Sequence, residues 1–201
     1  MMTLEPQTND PAAYLAPGEA VDFGAGNIVV LAQSLGVLYP APGDFARAAF
    51  MFVRDKIRHS ADIANPKTVT CKASDVLAHG EGICFAKSHL LAALLRFNGI
   101  PCGFCYQVLR QSDDTNKLGL HGLNAVFLND RWSRLDARGN KPGVKAGFGL
   151  AEAKPAFTAD PARGEQDIPV IFAEPVAAVV RALTQNHTFA ALWEHLPAGL
   201  E

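Results

Sequence analysis

A cysteine at the start of an apolar helix is the feature of this sequence that most directly predicts chemistry. The stretch Gly80-Glu81-Gly82-Ile83-Cys84 leads into a strongly apolar run over 85–95, so Cys84 falls in the first turn of a predicted helix. Backbone N–H groups and the positive end of the dipole at a helix start favour negative charge. A thiol placed there is biased toward the thiolate, which is the nucleophilic form. Cys84 is therefore the candidate nucleophile.

A cysteine nucleophile for acyl transfer needs a base, and the base needs a group that orients it. Among six histidines, His121 is the best placed, because it opens a predicted strand directly after a polar loop over 111–119. His89 lies five positions after Cys84, roughly 500° around the helix, and points away from the thiol. His187 and His195 belong to a closing helical hairpin. We therefore expect His121 to be the base.

The orienting group follows from a predicted hairpin. Asn129-Asp130 has the composition of a two-residue turn between two strands. With that turn Leu123 faces Asp136, so Asp136 is a diagonal neighbour of His121 on one face of the sheet. Diagonal β-carbons lie roughly 7 Å apart, within reach for an imidazole and a carboxylate. A shift of one residue would place the two on opposite faces, so this prediction depends on the turn.

The elements that position these residues are helices first and strands second. We expect residues 1–20 to lie extended on the surface and Asp44 to cap the second helix. The predicted helices cover 27–35, 44–58, 74–79 and 84–97, the strands 103–109, 121–128 and 131–136, and two closing helices 176–183 and 188–196. This order predicts an α+β fold in a single domain over 1–201. Its core spans about 45–140, and 141–201 form a C-terminal extension that packs on the core.

Three of these stretches resemble the transglutaminase-like superfamily, whose core shares the papain-type layout. They are Gly82-Ile83-Cys84 with its helix, the run 121–126 (His-Gly-Leu-Asn-Ala-Val) and the run 132–136 (Trp-Ser-Arg-Leu-Asp). The resemblance implies a papain/transglutaminase-like fold in which the cysteine helix packs on an antiparallel sheet. It also implies a catalytic triad: Cys84 as nucleophile, His121 as general base and then acid, and Asp136 holding the imidazole. No metal or organic cofactor is implied.

Acyl transfer also needs an oxyanion hole, and the N–H of Cys84 is its natural first donor. Members of the superfamily often supply a second donor from an upstream Trp or Gln, and this sequence has neither between positions 36 and 83. His59 and Asn65 are the polar candidates in the matching region. Lys87 and Ser88 share a helix face with Cys84, so they either line the cleft or lie on a solvated edge of the helix.

Composition limits the classes of partner and the compartment. The chain has 201 residues, 49% of them hydrophobic, and a net charge of −2 without a run of Lys or Arg. Nucleic acid and anionic membrane surfaces are therefore not expected partners. No apolar run reaches the ~18 residues of a membrane span, and the first residues lack the pattern of a secretory signal. We expect a cytoplasmic protein whose four cysteines are free thiols.

The sequence thus predicts a thiol-dependent enzyme that acts on a peptide, protein or small-molecule amide through a thioester at Cys84. Water as acceptor makes it a hydrolase, either a peptidase or an amidase, and an amine makes it a transglutaminase; the triad serves both. One alternative is a non-catalytic peptide-binding domain with the same fold.

Another alternative is a zinc-stabilised structural protein built on Cys71, Cys84, Cys102 and Cys105. A second Cys-x-x-Cys motif is missing, and positions 102 and 105 of a strand point to opposite faces. Ordinary packing of these two cysteines is therefore favoured over a metal site or a redox pair.

Overall fold

The computed structural model describes residues 3–112 and 114–201. Met1, Met2 and Asp113 lie outside the described residues. Met1 and Met2 belong to the segment in which no secretory signal was predicted, and Asp113 belongs to the polar loop over 111–119. Within the described ranges there are six α-helices: α1 (Gly26–Leu38), α2 (Pro42–Lys56), α3 (Ala73–His79), α4 (Cys84–Phe97), α5 (Ala177–Gln185) and α6 (Phe189–Glu194).

The strands form one main sheet and two short parallel pairs. They are β1 (Glu5–Pro6), β2 (Arg58–His59), β3 (Glu81–Gly82), β4 (Cys102–Arg110), β5 (Leu118–Leu128), β6 (Arg131–Leu135), β7 (Gln166–Asp167) and β8 (Val170–Ile171). The main sheet is antiparallel with strand order β6-β5-β4-β7, while β1 pairs with β8 and β2 with β3. The α+β class is confirmed.

The cysteine helix α4 lies at the centre of the fold and has the predicted bounds. The preceding helix α3 ends at Gly80, which adopts the left-handed conformation (φ 66°) that a glycine accepts without strain. Every residue from Cys84 to Arg96 is buried. A helix that is covered on all sides must pack against several elements at once, and α4 contacts α2, α3 and the sheet. The thiol at its first turn is therefore held rigidly.

Three local predictions are wrong. Helix α2 begins at Pro42 and not at Asp44, because the fixed φ of proline suits the first helical position. Helix α1 continues through Gly36 to Leu38. The first 20 residues are not simply an exposed extended segment, since Tyr14 is buried and its hydroxyl donates to the Ile171 carbonyl oxygen at 3.2 Å.

The hairpin that carries the site has the predicted register. Asn129 and Asp130 both have positive φ (54° and 58°), as a two-residue type I′ turn requires. Leu128 pairs with Arg131 across the turn, so the predicted register is confirmed. Strand β5 begins three residues earlier than predicted, and His121 therefore lies inside the strand and does not open it.

Apolar residues cover both faces of the main sheet. On one face Phe104, Tyr106 and Val126 join the large core around α4. On the other, a smaller cluster contains Cys105 and Leu123, covered by Tyr14 and Ile171. The closing helices α5 and α6 contribute buried residues to the large core. Across the described ranges no helix combines the length and apolar character needed to cross a membrane.

Candidate active site

Cys84 lies in a cleft of about 880 Å³ between the start of α4 and the sheet. Its side chain is buried, and the Gly122 N–H donates to Sγ at 3.5 Å. A β-carbon at position 122 would come within 2.7 Å of the Phe85 ring. Strand β5 can therefore approach the start of α4 this closely only because residue 122 is glycine.

His121 and Asp136 lie side by side next to this thiol. His121 Nε2 is 2.9 Å from Asp136 Oδ2, and both side chains are buried. Asp136 follows β6 directly, at the position that the hairpin register places beside His121. The structure thus brings Cys84, His121 and Asp136 together.

The Asp136 carboxylate accepts three hydrogen bonds. Besides His121, the Ala156 N–H donates to Oδ2 at 2.8 Å and the Arg138 N–H donates to Oδ1 at 3.0 Å. Burial raises the pKa of Asp136, but His121 and the two N–H donors outweigh it and hold the pKa below its ordinary value. Asp136 is therefore an ionised partner for a positively charged imidazole.

The electrostatics of His121 are those of an imidazolium. Burial alone would lower the pKa of His121, but the Asp136 carboxylate and the Cys84 side chain raise the pKa to about 10. Nε2 of the ring contacts Asp136, so Nδ1 is left for a second partner. The Phe157 ring packs edge-on against the imidazole at a centroid distance of 5.2 Å, which fixes its plane.

His59, a predicted oxyanion candidate, contacts Cys84 directly. Its Nε2 accepts the Cys84 N–H at 3.1 Å, and its Nδ1 accepts the Ala61 N–H at 3.2 Å. Burial and the nearby Arg138 lower the pKa of His59 well below its ordinary value, so the ring is neutral. A neutral imidazole has one N–H and one acceptor nitrogen. Only one of the two contacts is therefore a hydrogen bond in each tautomer.

Three other candidates do not line the cleft. Asn65 is exposed, outside the set of described residues that surround the cleft. Lys87 and Ser88 lie neither in the cleft nor on a solvated edge, because α4 is buried on all sides. The Lys87 ammonium donates to the Ile57 carbonyl oxygen at 2.5 Å, and the Ser88 hydroxyl donates to the Cys84 carbonyl oxygen at 2.9 Å. Burial lowers the pKa of Lys87 to about 7.

Sequence reasoning missed the residues that close the site from distant parts of the chain. Ala156 and Phe157 come from the Gly/Pro-rich stretch after residue 140, which has no periodic pattern that could place it. Arg138 is buried and pairs with both carboxylate oxygens of Asp62 at 2.5 and 3.0 Å. The hairpin register, continued past Leu135, would have placed Arg138 opposite His121, and this was the signal in the sequence.

The remaining cysteines are poor nucleophiles. Burial raises the pKa of Cys71 to about 11 and the pKa values of Cys102 and Cys105 to about 12. Cys102 and Cys105 belong to clusters on opposite faces of the sheet. Among the described residues no group of three or more His, Cys, Asp or Glu side chains is arranged to hold a metal ion.

Comparison with known proteins assigns the family. Residues 30–137 match the model of the transglutaminase-like superfamily. The chain belongs to this superfamily. Its members generally act through a cysteine thiol, so at the level of the family a thiol-dependent enzyme is supported. A search of curated proteins finds no match to the sequence.

A solved structure shares the fold. A protein from Cytophaga hutchinsonii, provisionally assigned as a cysteine protease, superposes with a TM-score of 0.51 at 16% identity, covering 65% of this chain and 43% of that one. Weaker similarities are to the periplasmic domain of TgpA from Pseudomonas aeruginosa (18% identity, 65% and 48% covered, TM-score 0.46) and to a TGase (16%, 87% and 50%, 0.44). The chain spans half or less of the length of these structures. The transglutaminase-like superfamily fold predicted from the motifs is confirmed.

Proposed function

We propose that this transglutaminase-like protein is an acyl-transfer enzyme that attacks an amide or peptide bond with Cys84 and forms a thioester. The observation that carries the proposal is the buried group of Cys84, His121 and Asp136, with His121 Nε2 2.9 Å from Asp136 Oδ2 and the Gly122 N–H donating to Cys84 Sγ at 3.5 Å. A nucleophile, a base and a group that orients the base within hydrogen-bond reach are what this chemistry requires.

The steps follow from the charges of the site. The Cys84 thiolate attacks the carbonyl carbon, a C–S bond forms, and the carbonyl oxygen becomes an oxyanion. The His121 imidazolium gives its proton to the leaving nitrogen as the C–N bond breaks, which leaves the thioester and a neutral imidazole. His121 then takes a proton from water or from an amine, which attacks the thioester and restores the thiolate. Asp136 orients the ring throughout.

His59 is our proposed second oxyanion donor. With the proton on Nε2, its ring N–H and the Cys84 N–H are neighbouring donors, while Nδ1 accepts the Ala61 N–H. Two donors without an acceptor between them favour a developing negative charge. Its neutral state at physiological pH also means that His59 does not compete with His121 for the thiolate.

We also propose that the protein works in the reducing cytoplasm on a peptide, protein or small-molecule amide, independently of nucleic acid and membranes. The four cysteines are free thiols in the structure, and the net charge is −2. Fractionation of the native host with detection by a specific antibody tests the compartment; recovery in the periplasmic or secreted fraction would contradict it.

The test of the nucleophile is competitive alkylation. Iodoacetamide at pH 6, followed by peptide mass spectrometry, is expected to modify Cys84 well before the other three cysteines, because burial raises the pKa values of those thiols. His121→Ala is expected to slow this labelling sharply. His79→Ala, an exposed histidine on α3, is the matched control. Equal labelling of all four thiols, or an unchanged rate in His121→Ala, would refute the proposal.

The acceptor is tested separately. Libraries of amides and peptides are incubated with and without a primary amine, and both ammonia release and amine incorporation are measured. Hydrolysis releases the leaving group without incorporation, and transamidation gives incorporation. An active-site thiol that alkylates rapidly but supports neither reaction would favour the non-catalytic binding domain.

A further inference from the structure

We propose that the substrate of this cleft carries a carboxylate, and that Arg110 binds it. This inference rests on the function proposed above and adds the chemical class of the substrate. It comes from the distribution of charge along the cleft.

Cationic side chains outnumber carboxylates in the described lining of the cleft. The lining contains Arg110, Arg138, Lys141 and Arg163 against Glu165. Arg163 pairs with Glu165, and Asp62, outside this lining, pairs with Arg138 and Lys141. The chain carries a net charge of −2, so this balance is local to the cleft. A cleft whose lining has one sign of charge raises the local concentration of the opposite charge.

The cations near the triad are already held by the protein. Arg138 forms the bidentate pair with Asp62, and the Lys141 ammonium lies 2.7 Å from Asp62 Oδ1. The Arg138 guanidinium also stacks over the Phe157 ring at 5.7 Å. These contacts hold the Arg138 guanidinium in the wall of the cleft beside His59 and His121, where it is already paired. The ligand-binding cation must therefore lie elsewhere in the cleft.

Arg110, at the end of β4, has the geometry of a carboxylate-binding residue. Its Nε–H donates to the Arg163 carbonyl oxygen at 3.1 Å, and its backbone N–H donates to Glu165 Oε1 at 3.2 Å. These bonds hold the backbone N–H and Nε of Arg110, whereas Nη1 and Nη2 of its guanidinium make no hydrogen bond to a described residue. A planar fork held from behind is suited to bidentate binding of a carboxylate.

The strand register gives the distance from Arg110 to the reacting bond. Gly122, whose N–H contacts the Cys84 thiol, pairs with Tyr106, and Arg110 lies four residues further along β4 on the same face. At a rise of ~3.3 Å per residue, this separation is about 13 Å along the strand. The long arginine side chain shortens the gap. An extended substrate would therefore place its carboxylate about two to four residues from the reacting carbonyl.

Apolar side chains also line the cleft. They are Leu109 and Leu120 from the sheet, Phe189 and Trp193 from α6, and Leu196 after it. An apolar wall lowers the local dielectric, so an ion pair at Arg110 is stronger than it would be on an open surface. It also provides a surface for the substrate residues between the carboxylate and the reacting bond.

The test uses two thiol-reactive probes that differ in one charge. Chloroacetyl-Gly-Gly-Glu amide and its Gln counterpart have the same shape, and their second-order rates of reaction with Cys84 are measured by mass spectrometry. We expect the Glu probe to react about three- to tenfold faster, as a partly buried ion pair gives. Arg110→Gln is expected to remove this preference, so that the Glu and Gln probes react with Cys84 at equal rates.

Arg47→Gln is the matched control, because it makes the same charge change on the exposed side of α2 and should keep the preference. A third probe, chloroacetyl-Gly-Gly-Gln with a free C-terminal carboxylate, distinguishes a terminal carboxylate from a side-chain one. Equal rates for acidic and neutral probes on the unmodified protein would overturn the inference, as would a preference that survives Arg110→Gln. If none of the probes favours Cys84 over the other thiols, the proposed function itself fails.

Discussion

Replacing Asp136 by Asn tests whether the buried carboxylate sets the charge of His121. The carboxylate lies 2.9 Å from His121 Nε2 and, together with the Cys84 side chain, raises the pKa of that histidine from 6.5 to about 10. An asparagine has nearly the same shape but no charge. In the Asp136→Asn protein, burial still lowers the pKa of His121, but no carboxylate raises it.

The expected change follows from the size of this shift. A hydrogen-bonded carboxylate accounts for about two to three pKa units of it, which is on the order of 3 kcal/mol. Proton transfer from Cys84 to His121 becomes tenfold less favourable for each unit lost. We therefore expect the Asp136→Asn protein to alkylate at Cys84 about 100-fold more slowly at pH 6.

The assay combines NMR titration of the His121 ring with the pH profile of iodoacetamide labelling. In the unmodified protein, His121 stays protonated at pH 7 and above and titrates near pH 10. Because its pKa is raised, its contribution to stability is fully present below pH 6.5 and is lost as the pH rises through about 10. In urea unfolding, the free energy of unfolding of the Asp136→Asn protein should fall much less over the same pH range.

Folding must be checked in the same samples. The amide nitrogen of the introduced asparagine would face a backbone N–H that Asp136 now satisfies, so a loss of about 1–3 kcal/mol of stability is expected. Asp44→Asn, in the exposed first turn of α2, is the matched control. A folded Asp136→Asn protein whose His121 titration and labelling profile coincide with those of the unmodified protein would refute the reasoning.

Three further predictions concern the surroundings of Cys84. Lys87 releases its proton near pH 7 in the folded state and near pH 10.5 in the unfolded state, so the free energy of unfolding should rise by about 2–3 kcal/mol between pH 7 and 9. Lys87→Met should abolish this rise in urea unfolding, and an unchanged pH profile would contradict this. Gly122→Ala should push its β-carbon into the Phe85 ring and cost about 1–3 kcal/mol on thermal unfolding, and a neutral effect would show that the strand has room. His59→Ala should slow acylation of Cys84 by p-nitrophenyl acetate about 100-fold while alkylation by iodoacetamide changes little; equal effects on both reactions would remove His59 from the oxyanion hole.

The elements that the sequence predicted well are those with local determinants. Helix α4 has the predicted bounds because Gly80 ends the previous helix and Asn98-Gly99 ends this one. The β5–β6 register was predictable because a two-residue turn fixes every cross-strand pair that follows. Continuing this register past Leu135 places Asp136 beside His121.

The local errors have different causes. A glycine within a helix costs about 1 kcal/mol, which favoured ending α1 at Gly36. Helix α1 nevertheless continues to Leu38 with Val37 and Leu38 exposed, and the Tyr39 N–H donates to the Leu35 carbonyl oxygen at 2.8 Å, so local helical hydrogen bonds carry it past the glycine. Lys87 is different, since a lysine at the start of a helix is normally solvated. Here its ammonium binds carbonyl oxygens at the end of α2, an arrangement that only the packing of two helices can create.

By itself, the sequence determined the family, the helix that presents Cys84 and the hairpin that aligns His121 with Asp136, because each depends on capping, turn chemistry or a two-residue period. Only the tertiary structure decided what surrounds them. The N–H of Ala156, the Phe157 ring, the contact of His59 with Cys84 and the positive charge around Arg110 come from segments far apart in the chain. Such contacts follow from packing of the whole core, and no local pattern encodes them.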